Sequence, residues 1–330
     1  SAGLAALFGG VVEPLNDGFS RPGRSLAMRV LAQAVLRSAE RDAVVAGALR
    51  AAGIASAADL IARREQALAN PRPPADNPLC IAVLSRVTIG ADVLLTSVLL
   101  QRLRQRFPDA ELLLLGDRKI AGLFGGLPGL RVLDAPYRRR GSWSERLAAW
   151  PPLRDLLADE GVELLVNPDS RLDQLGLLPL LPPDRCLLWE NTFDHPAQAV
   201  SLADHLDAWC VERLDLPADP PCLPHLWFDD ATACTSAVLA DVVGPAPLAA
   251  VKFDHGGNPA KALPGEAEAH LLRHLRSQGW RILLDRGFGD DELAASSPVS
   301  AGRPAILMTP AVASASRSTT WGRTTSPANP

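Results

Sequence analysis

Apolar residues recur at helical spacing through the first part of the chain. Within residues 24–70 they lie three or four positions apart, as expected for one buried helical face. The clearest examples are Leu26, Val30, Leu31, Val35 and Leu36. Ser56 precedes Asp59 by three positions, which resembles a capping box at the start of a further helix. The pattern predicts a helical N-terminal extension over residues 1–70.

A proline-rich linker at residues 71–78 ends this pattern, because proline lacks the amide hydrogen that a helix needs. Beyond it, short apolar runs alternate with amphipathic segments. The predicted strands are residues 79–84, 111–115, 131–133, 162–166, 186–189 and 208–211. Continuous apolar runs are typical of strands that are buried on both faces of a parallel sheet. A βαβ sheet with helices between its strands is therefore predicted over residues 79–224, with the first helix at 92–107.

A second α/β unit is predicted after a proline-rich boundary at residues 214–224. Strands at 248–253 and 281–285 flank a helix at 264–278, and together they predict a domain over residues 225–293. Residues 294–330 contain no acidic residue and no lysine, and only 305–308 could form a strand. We predict a low-complexity, disordered tail. The alternative is a second domain left incomplete by a frameshift or truncation.

Composition narrows the function classes. A formal net charge of −4 gives no reason to expect nucleic-acid binding. No apolar run approaches the ~20 residues that span a bilayer. Five cysteines without a CxxC pair favour reduced thiols, and no metal site is predicted. We therefore expect a cytoplasmic protein.

The first loop with candidate chemistry joins the first predicted strand to its helix. Such a loop lies at the carboxyl end of a parallel strand, where open α/β sheets bind ligands. Gly90 would let backbone approach a ligand, and Asp92 could serve as a general base. The alternative for Asp92 is an N-cap, since aspartate is a preferred capping residue. The loop lacks a GxGxxG pattern, so no dinucleotide site is indicated.

The second candidate loop lies at residues 252–261 and holds two of the three lysines of the chain. Gly256 and Gly257 would expose backbone amides, and Lys261 would place a positive charge on a phosphate. The spacing is not that of a Walker A loop. An ordinary glycine-proline turn explains the composition equally well.

Three segments resemble glycosyltransferase family 9, the heptosyltransferase-like enzymes. The run 81–116 is similar to the family's opening strand, Gly-Asp loop, helix and second strand, although Ala91 separates Gly90 from Asp92 here. Residues 167–171 resemble a segment in the middle of the first domain. The run 256–264 is similar to the loop that opens the donor domain. The resemblance covers residues 79–293.

This resemblance implies a GT-B-like architecture, in which two Rossmann-like domains face each other across a cleft. It also implies inverting, metal-independent transfer of a sugar, such as heptose from ADP-heptose, to a lipopolysaccharide or other glycan acceptor. No cofactor is implied beyond the nucleotide-sugar substrate.

The resemblance also implies roles for individual residues. Asp92 would be the catalytic base. The donor would be held by Gly256, Gly257, Asn258 and Lys261, with Asp291 and Glu292 near the ribose. The acceptor-side loop would use Arg86, Thr88, Gly90 and Thr96.

Other functions remain open from the sequence. An inactive relative could act as a binding or assembly module that oligomerises through its N-terminal helices. A different sugar-nucleotide enzyme, such as an epimerase, could share the architecture. The arginines at 138–140 could steer an anionic acceptor or support peripheral contact with the inner face of a membrane, although a solvated loop is the simpler interpretation.

Overall fold

The computed structural model describes residues 6–70, 77–137, 143–193, 200–232, 234, 247–253, 262–285 and 306–308. The chain divides into two compact units, Ser1–Asp230 and Ala231–Pro330. Both contain parallel β-strands, and helices accompany them. The predicted α/β class is therefore confirmed.

The N-terminal region is helical, as the apolar spacing predicts. A π-helical turn, Phe8–Val12, leads into four helices: α1 (Glu13–Asp17), α2 (Arg21–Ala39), α3 (Ala43–Ala51) and α4 (Ala57–Ala69). The predicted capping box is present at the start of α4, where the Ser56 hydroxyl accepts from the Asp59 amide and the Asp59 carboxylate accepts from the Ser56 amide.

The first unit is built on a five-stranded parallel sheet. Its strands are β1 (Cys80–Leu84), β2 (Glu111–Gly116), β3 (Leu130–Asp134), β4 (Leu164–Asn167) and β5 (Cys186–Leu188). Their order in the sheet is β3-β2-β1-β4-β5. The helices of this unit after β1 are α5 (Ile89–Ala91), α6 (Ser97–Arg106), α7 (Ala121–Phe124), α8 (Trp143–Leu147), α9 (Trp150–Asp159) and α10 (Leu202–Leu214).

Both faces of this sheet are buried, which explains why its central strands are continuously apolar. Successive side chains of a strand point to opposite faces, so Ala82 and Leu84 belong to one core while Ile81 and Val83 belong to the other. The first core contains the buried faces of α2, α3, α4 and α9. The second contains those of α6 and α10. The N-terminal helices thus share a core with the sheet.

One predicted strand is wrong. Residues 208–211 lie inside α10, which Ser201 caps by accepting from the Asp204 amide. Leu206, Cys210 and Leu214 are buried at four-residue intervals, so the apolar run belongs to the inner face of a helix. The run is too short for its period to distinguish the two structures.

The second unit has a three-stranded parallel sheet in the order β6-β7-β8, formed by β6 (Leu248–Lys252), β7 (Arg281–Asp285) and β8 (Ile306–Met308). Helix α11 (Gly265–Ser277) connects β6 to β7. These elements confirm the strands and helix predicted here, including the strand allowed at 305–308. The remainder of the predicted tail, and the truncation alternative with it, fall on residues outside those described.

Candidate functional site

The candidate site lies at the carboxyl ends of β1 and β4. The chain winds from β1 through β2 to β3 on one side of the sheet, and then returns to place β4 on the other side of β1. Loops that follow β1 and β4 therefore diverge at a topological switch point, where open α/β sheets bind ligands. The residues concerned are Ser85–Asp92 after β1 and Pro168–Ser170 after β4.

Asp92 is the most tightly held side chain of this site and is only 1% exposed. Its Oδ1 accepts from the Arg86 backbone amide at 2.8 Å and from the Thr96 hydroxyl at 2.7 Å. Its Oδ2 accepts from the Ser85 hydroxyl at 2.7 Å. A carboxylate offers about four acceptor positions, so these bonds leave one position on Oδ2.

The capping interpretation of Asp92 is wrong. Thr88 is the N-cap of α5, and no side chain accepts a hydrogen bond from the first turn there. Asp92 lies at the beginning of a π-helical turn, Asp92–Thr96, and its carboxylate reaches back to the amide of Arg86. The Asp92 carboxylate therefore closes the loop that follows β1. π-helical turns such as Asp92–Thr96 are frequent at functional sites.

Burial raises the pKa of Asp92 above its ordinary value. The hydrogen bonds from Ser85, Thr96 and the Arg86 amide act in the opposite direction, because each favours the charged form. The carboxylate is consequently a stronger base than a solvated aspartate and remains hydrogen-bonded in its charged state. Both properties suit a general base.

The loop after β1 is fixed by its neighbours. The Ser85 hydroxyl accepts from the Val87 amide at 2.9 Å, and Val87 has a φ of 72°. A β-branched residue rarely adopts this left-handed conformation, and such strain clusters at functional sites. A Cβ on Gly116 would lie 2.6 Å from the Cβ of Ser85, so glycine is required at the end of β2 for the loop to pack here.

The loops after β1 and β4 are joined by polar contacts. The Arg86 guanidinium donates from Nη1 to the Pro168 carbonyl at 2.8 Å, and the Ser170 hydroxyl donates to the Ser85 carbonyl. The Arg86 guanidinium also lies 5.9 Å from the centre of the Trp189 ring. The two sides of the switch point are therefore held as one structure.

The predicted acceptor-side residues are only partly brought together. Arg86 and Thr96 both bond to Asp92. Thr88 is half-buried at the N-cap of α5. Gly90 is exposed, and a Cβ built there would meet nothing within 4 Å. Close backbone approach to a ligand at Gly90 stays a prediction.

The predicted donor-binding residues lie outside the described residues. They are Gly256, Gly257, Asn258, Lys261, Asp291 and Glu292. The elements that flank the glycine-rich loop, β6 and α11, are described and have the expected strand-to-helix order. The donor role of this loop therefore stays a prediction.

Three polar residues of the site have no role predicted from the sequence, although Ser85 and Asp169 lie in segments that the sequence singles out. Ser85 holds Asp92, Asp169 follows β4 with a φ of 61°, and Arg24 of α2 reaches Asp169 at 2.5 Å. Ser85 lies directly after a buried strand in the first candidate loop, and Asp169 lies in the segment 167–171 that carries part of the family resemblance, so the sequence indicates their segments but not their contacts. Nothing in the local sequence distinguishes Arg24 from the other arginines of the extension.

Asp173, close to the site, gives a prediction for stability. Its carboxylate accepts from the Asn167 side chain and the Gly176 amide, and burial raises its pKa from 3.8 to about 7. Between these values the folded protein keeps a proton that the unfolded chain has lost, so the free energy of unfolding falls as pH rises. A shift of this size corresponds to about 4 kcal/mol, fully developed above pH ~7.

Asp173→Asn removes this titration. The difference in the free energy of unfolding, variant minus original protein, should therefore be about 4 kcal/mol larger at pH ~8 than at pH ~4. Urea denaturation at both pH values measures the difference. The exposed Asp109→Asn variant should follow the original protein, and an Asp173→Asn variant that also followed it would contradict the predicted linkage.

The described residues hold no helix of sufficient length and hydropathy to cross a membrane. Across those same ranges, no three His, Cys, Asp or Glu side chains gather as a set of metal ligands. All five cysteines are free.

The chain is similar in structure to several solved glycosyltransferases. One is a glycosyl transferase family 9 protein from Veillonella parvula, with 17% identity, a TM-score of 0.49, and coverage of 70% of this chain and 68% of that one. Another is the E. coli ADP-heptose lps heptosyltransferase II, with 14% identity, a TM-score of 0.44, and coverage of 66% and 67% respectively.

A third is the E. coli heptosyltransferase WaaC with ADP, with 17% identity, a TM-score of 0.45, and coverage of 68% of this chain and 72% of that one. No family model and no curated protein matches the sequence.

Proposed function

We propose that the protein is a glycosyltransferase that moves a sugar from a nucleotide-diphospho-sugar to a hydroxyl of a glycan acceptor. The resemblance in sequence favours ADP-heptose as the donor and a lipopolysaccharide-type acceptor. Transfer is inverting and uses no metal. The protein then acts in the cytoplasm, with peripheral contact to the inner face of a membrane.

The observation that carries this proposal is the environment of Asp92. A buried carboxylate of raised pKa stands at a topological switch point and keeps one acceptor position on Oδ2. A hydroxyl that donates to this position is in reach of a base that is already oriented by three other donors.

The chemistry follows from this arrangement. Asp92 takes the proton of the acceptor hydroxyl while the oxygen of that hydroxyl attacks the anomeric carbon of the donor sugar from the face opposite the diphosphate. The new carbon–oxygen bond forms while the bond to the diphosphate breaks, and its electron pair leaves with the diphosphate oxygen. In the proposal, the amides of Gly256 and Gly257 and the Lys261 ammonium stabilise this developing charge.

A second candidate is a nucleotide-sugar-binding module without transferase activity. The observation that favours it is the near-complete burial of Asp92, which gives the side chain a structural role in closing its loop. Donor binding without turnover is the result that would support this candidate. Turnover that depends on Asp92 would exclude it.

The donor site is tested by calorimetric titration of the full chain with an ADP-sugar. Lys261→Ala should weaken binding about tenfold, equivalent to about 1.4 kcal/mol, because it removes one charge from the diphosphate. The matched control is Lys119→Ala, in the short 3₁₀ turn Arg118–Ile120 after β2. Equal affinities for both variants and the original protein would remove Lys261 from the donor site.

A further inference from the structure

The N-terminal helices place a buried arginine, Arg24, beside the loops at the switch point. Arg24 lies in the first turn of α2, after Ser20, whose hydroxyl accepts from the Gly23 amide. Arg24 is only 3% exposed. Its Nη2 lies 2.5 Å from Asp169 Oδ2 and also donates to Asn191. One guanidinium thus bridges the segments that follow β4 and β5.

Asp169 connects this arginine to the loop after β1. Its Oδ2 lies 3.8 Å from Arg86 Nη1. The Arg86 backbone amide in turn donates to Oδ1 of Asp92. The contacts form an uninterrupted series from Arg24 through Asp169 and Arg86 to Asp92.

The cluster is not optimised for stability. Arg24 Nη1 and Asp169 Oδ1 are buried without a hydrogen-bond partner among the described residues. Buried polar atoms without partners cost free energy, and a buried ion pair is often no more stable than a well-packed apolar pair. Asp169 also holds a left-handed backbone with a φ of 61°. Strained, incompletely satisfied clusters of this kind are typical of functional sites.

We propose that Arg24 is a positioning residue of the candidate active site. By neutralising Asp169 it holds the loop after β4 against Arg86, and thereby fixes the segment that orients Asp92. The helical extension is then an integral part of the site. This inference rests on the proposed function for its consequence in catalysis, while the physical link from Arg24 to the β1 loop stands independently of it.

Hydrogen exchange tests the link without any assay of activity. The Arg86 amide is bonded to Asp92, and the Val87 amide to Ser85. In Arg24→Met, these two amides should exchange at least about tenfold faster, because local opening of the loop becomes easier. Arg24→Lys retains the charge and should restore part of the protection.

Arg64→Met is the matched control. Arg64 is also a buried arginine of the extension. It bonds to the Leu175 carbonyl and to Glu190, whose carboxylate also lies 4.0 Å from Arg24 Nε, but no described contact joins Arg64 to the β1 loop. It should lower stability without selectively raising exchange at Arg86 and Val87. Equal exchange at these amides in Arg24→Met and Arg64→Met would overturn the proposal. If Arg24→Met does not fold, the comparison is made with Arg24→Lys and with Arg24→Met/Asp169→Asn, in which no carboxylate is left unpaired.

Catalysis supplies the second readout. With ADP-heptose and a lipopolysaccharide acceptor, Arg24→Met should lower kcat about tenfold to a hundredfold with little change in KM for the donor, since it disturbs orientation rather than donor contacts. Unchanged kcat would overturn the catalytic part of the proposal. Absence of turnover in the original protein would refute the proposed function alone, and the exchange experiment would still decide the structural link.

Discussion

Asp92→Asn is expected to lower the rate of sugar transfer about a hundredfold to ten-thousandfold, the usual contribution of a general base. The amide has the shape of the carboxylate but cannot take a proton. Its oxygen can still accept from the Arg86 amide and the Thr96 hydroxyl, and its nitrogen can donate to Ser85 Oγ. The loop should therefore keep its structure and the protein its affinity for the donor.

The measurement is release of ADP from ADP-heptose in the presence of acceptor, together with titration of the donor. Asp173→Asn is the control, because it alters a nearby buried aspartate that does not contact the β1 loop in the described hydrogen bonds. Retained turnover in Asp92→Asn would remove Asp92 from the role of base.

The pH dependence separates the two aspartates further. The base must be deprotonated, so kcat/KM should fall as pH decreases through the pKa of Asp92, which burial raises above 3.8. The acidic limb should be retained in Asp173→Asn. If the limb moved in that variant, titration of Asp173 rather than Asp92 would control the rate.

Among the substitutions proposed for this protein, Arg102→Met should lower the free energy of unfolding most, by about 3–5 kcal/mol, because it leaves the buried Asp207 carboxylate without its charged partner. Arg102 is 1% exposed and forms a two-pronged pair with Asp207 at 2.7 and 2.9 Å. Its remaining donors bond to Gln105 and to the Pro217 and Pro220 carbonyls. One side chain thus joins α6, α10 and the segment that follows α10.

Equilibrium unfolding in urea measures this loss. Arg102→Met/Asp207→Leu should recover much of it, because the uncompensated charge is gone and apolar packing replaces the pair. Arg131→Met is the surface control: Arg131 pairs with Glu111 and Glu160, but its side chain is 47% exposed, and exposed pairs contribute about 1 kcal/mol or less. Similar losses for Arg102→Met and Arg131→Met would contradict the role of burial.

Much of the fold is predictable from local pattern. Parallel strands that are buried on both sides are apolar without interruption, so β1 and β2 are evident in the sequence, and β7 is predicted with its observed bounds. The strand predicted at 208–211 is wrong, although it rests on the same kind of short apolar run as the strands that are confirmed. A four-residue apolar run fits either a strand or the inner face of a helix, and tertiary packing against α6 decides for α10.

The site is predictable only where its contacts are local. Asp92 and Thr96 are four residues apart on one helical face, and Ser85 is seven residues before Asp92. The contact of Arg24 with Asp169 spans 145 residues and follows from the sheet order, which no local pattern encodes. The strained backbone at Val87 is likewise imposed by surrounding contacts rather than by residue preference, because a β-branched residue disfavours the left-handed conformation.

The shared core of the N-terminal helices and the first sheet has a consequence for biosynthesis. These helices leave the ribosome before the sheet does, yet the strands that cover their apolar face include β4 and β5, which are made about a hundred residues later. Contacts between distant parts of a chain form slowly and leave apolar surface exposed in the meantime. Nascent chains that stop before β5 should therefore depend on chaperones. Only longer chains, in which β5 has joined the sheet, should be resistant to protease.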